Sequence, residues 1–179
     1  MPITHEHISR TVKAYQTARP ECVDELNMIT DLLDAGVDIT PRTEFRGHAT
    51  AGAVLVNDEG LVLHIHHKGL GRWLLPGGHL EPGDESLRCA ARRELSEETG
   101  FDLEQVSEGG EDPVHVDVHL IPANPAKGEP DHHHFDFRFL FRTSGDAGEL
   151  QAEEVTGADW FGVDALPSPL RDHVRAAIV

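Results

Sequence analysis

The chain has 179 residues, a formal net charge of −17 and 39% hydrophobic residues, which suits one globular domain, alone or with a short extension. The longest apolar stretches are strand-sized and exclude a membrane-spanning helix, and the first ten residues lack the basic and apolar regions of a secretory signal. The acidic charge argues against a long nucleic acid as partner, because such binding needs a basic surface. We therefore expect a cytoplasmic protein.

The N-terminal region is expected to be helical from residue 4 to about residue 35. Thr4 is placed to cap a first helix, and Pro20 marks a break that can open the next one. An apolar stripe follows and ends at Gly36; its members are Val23, Leu26, Met28, Ile29, Leu32 and Leu33. Residues 1–46 are thus predicted to form a helical extension that covers a cleft, caps a sheet or forms a dimer interface.

The pattern of residues 47–179 predicts a mixed sheet with helices. Helices are expected from about Ser86 to Thr99, stopped by Gly100, and from about Ser168 onward. Alternating or continuous apolar residues predict strands near residues 53–56, 61–67, 113–120, 132–142 and 160–161. This order of elements, β-β-α-β-β-β-α, indicates an α/β sandwich with a mixed sheet.

Residues typical of zinc sites do not form a motif in this sequence. Cys22 and Cys89 are far apart and show no metal-binding spacing, so both are predicted to be free, buried thiols. The run His132–His134 lacks cysteine partners, and strand alternation places His133 on the opposite face from its neighbours. No dedicated zinc site is therefore expected at this run.

The segment from Gly77 to Phe101, GGHLEPGDESLRCAARRELSEETGF, carries the clearest chemical pattern. Glu94, Glu97 and Glu98 are spaced i, i+3 and i+4, so they share one face of the predicted helix. Like charges this close repel each other, whereas a Mg²⁺ ion among them would find the oxygen ligands that it prefers. Taken alone, the three glutamates of an acidic protein favour a solvated acidic helix end.

The same segment resembles a Nudix box, whose family pattern is G-x5-E-x7-R-E-U-x-E-E-x-G-U, with U a bulky aliphatic residue. Gly78, Glu85, Arg93, the three glutamates and Gly100 follow the pattern. Six residues rather than five separate Gly78 from Glu85, and Phe101 replaces an aliphatic residue. The flanking sequences are also similar to the family, so the resemblance covers about residues 47–167. It implies that Glu85 and Arg93 form a salt bridge that orients the loop before the helix.

The resemblance implies a MutT-like Nudix α/β/α sandwich that hydrolyses a phosphoanhydride bond by attack of water at phosphorus. The three helix glutamates would hold Mg²⁺, with Mn²⁺ as a possible substitute. A glutamate would act as general base: Glu94 or Glu98 in the box, or Glu153 or Glu154 on a later loop. The partners implied are a small nucleotide-type substrate and, as in many family members, a second copy of the chain.

Polar residues on two predicted strands are candidates for the substrate cleft. A strand with one face in the core turns its other face toward water or a pocket. Arg138 or Arg142 would supply the positive charge that an anionic substrate needs, and Trp73 could stack on a base. A simple solvated sheet face is the alternative. The proposed cleft residues are His64, His66, Arg72, His134, Asp136 and Arg138, with Lys68 beside them.

Several functions fit these observations. The favoured one is hydrolysis of a nucleoside diphosphate linked to another group; the second is a house-cleaning pyrophosphohydrolase for nucleoside triphosphates or an RNA 5′ end. The lack of a basic stripe argues against the RNA version. A non-catalytic nucleotide sensor is disfavoured because all three helix glutamates are present. A Nudix-like isomerase would need a catalytic cysteine, and Cys89 lies away from the glutamate face.

Overall fold

The computed structural model describes residues 3–145 and 155–178. Within these ranges, eight strands form one sheet: β1 (His48–Asn57), β2 (Leu61–His67), β3 (Arg72–Leu74), β4 (Gly77–His79), β5 (Val106–Glu108), β6 (His115–Ile121), β7 (His132–Thr143) and β8 (Val155–Gly162). The α-helices are α1 (His5–Ala18), α2 (Asn27–Asp34), α3 (Leu87–Thr99) and α4 (Leu170–Ile178). Each of these helices is too short or too polar to span a bilayer.

The centre of the sheet is a long parallel pair, β1 with β7. Their register is continuous from His48 opposite His134 to Asn57 opposite Thr143. On one side β1 pairs with β2 and with the short β4, and β3 and β8 extend that side through β2. On the other side β5 and β6 pair with β7. The three-residue strands β3, β4 and β5 were not predicted, because so few residues show no alternation.

The main core lies on the sheet face covered by α1, α2 and α3. Phe135, Phe137 and Phe141 of β7 are fully buried there, as the alternation predicted. Ile8 and Val12 of α1 belong to the same apolar cluster. The N-terminal helices therefore share one core with the sheet, and the domain boundary at residue 46 stays a prediction.

The opposite sheet face carries a second, smaller core beneath α4. Val54, Val62 and Leu140 of the sheet pack there with Leu170 and Val174 of α4. The sequence predicted a pocket or water along this face; at Val54, Val62 and Leu140 the face is instead covered by α4. Helices on both faces confirm the α/β/α sandwich.

The ends of the N-terminal helical region were predicted better than its middle. The hydroxyl of Thr4 accepts the N–H of His7 at 3.1 Å, and Gly36 ends the region with a positive φ of 73°. Between α1 and α2 the chain forms 3₁₀ turns, whose three-residue period displaces the helical stripe. Val23 and Met28 are therefore 38% and 39% exposed, so their predicted burial is wrong.

Candidate active site

The helix α3 is fixed by a cap at each end. The hydroxyl of Ser86 accepts the N–H of Cys89 at 3.1 Å, and Gly100 adopts a left-handed conformation with φ 65°, which confirms both predicted ends. Cys89 itself is exposed, so its predicted burial is wrong, whereas Cys22 is buried. The side of α3 that packs on the sheet consists of Leu87, Ala90, Ala91, Leu95 and Thr99.

The glycine pair before α3 allows the helix to approach the sheet closely. Gly77 and Gly78 lie in β4, opposite Gly52 and Ala51 of β1. A Cβ atom added at Gly77 would lie 2.8 Å from the Ala51 carbonyl oxygen, and one added at Gly78 would lie 2.6 Å from Oε1 of Glu94. Backbone atoms therefore exclude a side chain at Gly77, whereas a side chain at Gly78 would displace the carboxylate of Glu94. The carboxylates of Glu94 and Glu98 lie directly against the backbone of β4.

This close approach gives a stability prediction. Gly77→Ala places its methyl group against backbone atoms of β1, which cannot rotate away, so we expect the free energy of unfolding to fall by about 1–3 kcal/mol. Gly83→Ala is the matched control, since a Cβ there meets no described atom within 4 Å and we expect a change within about 0.5 kcal/mol. Urea denaturation in the absence of metal measures both. Equal effects at the two sites would contradict the packing described here.

The glutamates of α3 differ in environment. The side chain of Glu94 is 13% exposed and that of Glu97 is 56% exposed. Burial raises the pKa of Glu94, with Arg93 acting in the opposite direction. Oε2 of Glu98 accepts a hydrogen bond from the N–H of Gly77 at 2.8 Å, so the carboxylate lies beside the glycine pair. Glu94 and Glu98 are thus directed at β4, whereas Glu97 lies at the exposed side of the same helix and bonds Arg93.

Arg93 holds the loop before α3, but its partner differs from the predicted one. The sequence resemblance implied a salt bridge with Glu85; in the structure Asp84 takes the bidentate position, with both nitrogen–oxygen distances at 3.0 Å. The remaining N–H groups of Arg93 donate to Glu94, Glu97 and the carbonyl of residue 79. The extra residue in this loop brings the buried Asp84 to the guanidinium, so the predicted partner is corrected to Asp84.

A cavity of about 270 Å³ lies on the α4 side of the sheet. Its wall includes Trp73, Phe161, His64 and Arg138. The rings of Trp73 and Phe161 are in edge contact with centroids 5.2 Å apart, and His64 lies 5.0 Å from Phe161. Leu75 also lines the cavity, two residues before the glycine pair. The wall of the cavity thus offers aromatic surface and the guanidinium of Arg138. Leu75 continues into the segment that leads to the glycine pair.

The other predicted cleft residues spread over a wider area. His66 stacks edge-on against Trp73 and bonds the hydroxyl of Thr156 at 2.7 Å. Arg72 and Lys68 are exposed and do not line the cavity formed by the described residues. Arg142, also exposed, donates to a carbonyl of α4. The structure therefore gathers only part of the predicted set.

The remaining cleft candidates lie further along β7. Asp136 accepts the hydroxyl of Thr50 at 3.2 Å and Nε of Arg138 at 2.8 Å, and Arg138 also lies 3.9 Å from Asp117. The positive charge of Arg138 is thus already compensated by protein carboxylates. His134 belongs to a separate group of histidines described below.

Sequence reasoning missed some residues and named others that lie outside the described chain. Asp84 lies in the loop that is one residue longer than the family pattern, and nothing local distinguishes it from Glu85. His48 and His79 were not considered, because only the pairing of strands brings them together. Glu153 and Glu154, the later-loop candidates for the base, lie outside the described residues.

An acidic helix face against a strand with two glycines defines a class of site suited to divalent cations and the phosphates bound with them. The family model of the NUDIX domain matches residues 46–178. The chain therefore belongs to the MutT-like Nudix hydrolase family.

Relatives of known name share part of the chain. An RNA pyrophosphohydrolase of Erythrobacter litoralis is 42% identical over 154 residues, which cover 76% of this chain and 90% of the relative. A probable DHNTP pyrophosphohydrolase of Lactococcus lactis is 36% identical over 102 residues; the match covers 56% of this chain and only 57% of that relative's length. The NUDIX domain of Shewanella oneidensis NrtR, solved with ADP ribose, aligns with a TM-score of 0.57 at 21% identity, covering 84% of this chain and 98% of that one. The last likeness shows the fold alone.

Proposed function

We propose that this protein is a Mg²⁺-dependent hydrolase that cleaves a phosphoanhydride bond in a nucleoside diphosphate linked to another group. The observation that carries the proposal is the contact between the glutamates of α3 and the glycine backbone of β4. Glu98 bonds the N–H of Gly77, and the carboxylate of Glu94 fills the space where Gly78 has no side chain. Backbone and carboxylates are thereby presented together to a metal-bound phosphate.

The donor set fits Mg²⁺. Glu94, Glu97 and Glu98 offer only oxygen atoms, and Arg93 is shared by two of these three carboxylates and by Asp84. A bound Mg²⁺ would remove the remaining repulsion, neutralise phosphate charge and lower the pKa of a bound water. Mn²⁺ has the same preference for oxygen ligands and is expected to substitute.

The charge around the cavity supports a metal-dependent reaction. Arg138 is the cation of the cavity wall, and Asp136 and Asp117 already offset its charge. In a protein of net charge −17, a polyphosphate here would meet uncompensated repulsion. Divalent cations held by α3 would supply the positive charge that the side chains do not.

The cavity accounts for one part of a two-part substrate. Its volume of about 270 Å³ is below the 300–1,000 Å³ typical of sites for whole drug-sized ligands. Trp73 and Phe161 offer aromatic surface for a base or another flat group. We therefore propose that the nucleoside or its counterpart occupies this cavity on the α4 side. The diphosphate would then follow the chain from Leu75 to the glycine pair and reach the glutamates on the other side of the sheet.

The general base would be a glutamate that reaches the attacking water. Glu94 and Glu98 lie at the site, and Glu154 remains a candidate on sequence grounds. Because Glu94 also receives a hydrogen bond from Arg93, its carboxylate is already oriented by a cation. Glu98 accepts the N–H of Gly77, which places its carboxylate beside the glycine pair where we expect the phosphate and the attacking water, so we favour Glu98.

A second candidate is pyrophosphohydrolysis of a nucleoside triphosphate or a triphosphorylated RNA end. The two relatives described above, both called pyrophosphohydrolases, favour it. The acidic surface weighs against the RNA form, since phosphate contacts to a long chain need basic residues.

The test is a substrate panel with Mg²⁺ or with EDTA. It should contain ADP-ribose, a dinucleoside polyphosphate, the nucleoside triphosphates and a short 5′-triphosphorylated RNA, with products identified by mass spectrometry in ¹⁸O-labelled water. We expect Mg²⁺-dependent release of a nucleoside monophosphate from a two-part substrate, with the label on a phosphate product. Release of pyrophosphate from a triphosphate would select the second candidate. Absence of turnover, with a nucleotide still raising the melting temperature, would select a sensing module.

A further inference from the structure

Three histidines from three neighbouring strands meet on the sheet face opposite α3. His48 of β1 pairs with His134 of β7, and β4 places His79 beside them. One ligand nitrogen from each residue lies within 4.8 Å of the others. The ring centroid of His48 lies 5.2 Å from that of His79 and 4.8 Å from that of His134. These residues are far apart in sequence, so strand pairing alone creates the group.

The side chains point away from the glutamate site. In β4 the missing side chain of Gly78 would point at Glu94 on α3, so strand alternation directs His79 to the other face. In β7 the neighbouring Phe135 is buried on the α3 side, which directs His134 away from it. The histidine group is therefore a separate centre.

The second observation is a buried nitrogen without a protein partner. His48 is 1% exposed, and its Nδ1 lies 3.2 Å from the carbonyl oxygen of Glu44. Because a carbonyl only accepts, Nδ1 carries the proton, and Nε2 presents a lone pair. Within the described chain Nε2 has no hydrogen-bond partner. A histidine that donates from one ring nitrogen to a backbone carbonyl and keeps a lone pair on the other has the arrangement of a metal ligand.

Two further histidines at the edge of the group are oriented in the same way. His132 stacks on His48 with centroids 5.1 Å apart, and its Nδ1 lies 2.8 Å from the Pro130 carbonyl oxygen. His119 has its Nδ1 2.8 Å from a carboxylate oxygen of Asp117. Both therefore also direct Nε2 away from their protein acceptors at the edge of the group.

The charge state of the group suits a metal ion. Burial lowers the pKa of His79 to about 4 and that of His134 to about 3, so both rings are neutral at pH 7 and can offer lone pairs. The positive charge of Arg42 also lowers the pKa of His79, but Arg42 forms an ion pair with Glu129 at 2.8 Å, which offsets its charge.

We propose that His48, His79 and His134 bind one transition-metal ion, zinc(II), at a site separate from the glutamates of α3. Imidazole nitrogen suits zinc, whereas Mg²⁺ prefers oxygen, so the two centres select different metals. No dedicated zinc site was expected at the run His132–His134 from the sequence. The proposed site takes His134 from that run and completes it with histidines from β1 and β4. The ion links three strands and stabilises the fold when bound.

The experiment measures metal binding, not catalysis. Tag-free protein is stripped with EDTA, dialysed into Mg²⁺-free buffer and titrated with Zn²⁺ against a chromophoric chelator. The absorption spectrum of the Co²⁺-loaded protein reports the ligand geometry. We expect one tight site per chain, a higher melting temperature with Zn²⁺ and a Co²⁺ spectrum typical of four nitrogen or oxygen ligands.

Variants assign the site. His79→Gln and His134→Gln, tested separately in case one fails to fold, are each expected to weaken Zn²⁺ binding by about 100-fold or more, since even outer-shell changes cost about 10–100-fold. His133→Gln is the matched control on the opposite face and should leave the affinity unchanged. Glu98→Gln should also retain the site. Unaltered affinity in both ligand variants, loss in Glu98→Gln, or no tight Zn²⁺ binding by the wild type would overturn the proposal.

Discussion

Glu98→Gln is expected to lower kcat by about 10²–10⁴-fold, the range that removal of a general base produces. The substitution keeps the size of the side chain, and its amide oxygen can still accept the N–H of Gly77, so the fold should be preserved. Steady-state kinetics with the best substrate of the panel, at saturating Mg²⁺, measure the effect. Glu104→Gln provides the control, because it makes the same charge change at an exposed position outside α3.

The same variant separates two roles for Glu98. A residue that mainly binds metal shifts the Mg²⁺ concentration needed for half-maximal rate, and excess Mg²⁺ then restores most of kcat. A general base leaves that concentration nearly unchanged but removes the acidic limb of the pH–rate profile. A loss of kcat smaller than tenfold would rule out both roles and direct attention to Glu94 and Glu154.

Asp84→Asn is expected to lower the free energy of unfolding by about 3 kcal/mol, within the range for breaking a buried ion pair. The Asp84 side chain is 6% exposed, binds Arg93 through both oxygens and accepts the N–H of Glu81 at 2.8 Å. The amide would lose one of the two acceptors facing the guanidinium. Chemical denaturation without metal measures this effect.

The control for Asp84 lies in the same loop. The Glu81 carboxylate is 4.0 Å from Arg93 and 62% exposed, so Glu81→Gln is expected to change the stability by less than about 0.5 kcal/mol. If the two variants were equally stable, Asp84 would not be the residue that holds the loop. The orientation of α3 would then depend on contacts other than the bidentate pair.

Local chemistry explains what the sequence predicted well. Ser86 and Gly100 determine the ends of α3 through groups within a few residues, so its length followed from residue type alone. The shared face of the three glutamates follows from helix geometry. The phenylalanines of β7 are buried as predicted, because a strand alternates its faces whatever its neighbours are.

Contacts between distant segments explain what the sequence did not predict. Whether Asp84 or Glu85 reaches Arg93 depends on the path of a loop, which a spacing pattern does not describe. The meeting of His48 with His134 depends on a register set by the whole sheet. The burial of the second sheet face likewise depends on where α4 packs, and α4 comes from the far end of the chain.

The parallel pair of β1 and β7 also constrains the order of folding. Paired residues of the two strands lie 86 positions apart in the chain. The edge of β1 that pairs with β7 therefore has no partner until β7 has been synthesised. Until then β1 presents a row of unpaired amide and carbonyl groups in a segment rich in alanine and valine. A chain that ends before β7 would therefore expose this edge, and we expect it to be prone to aggregation.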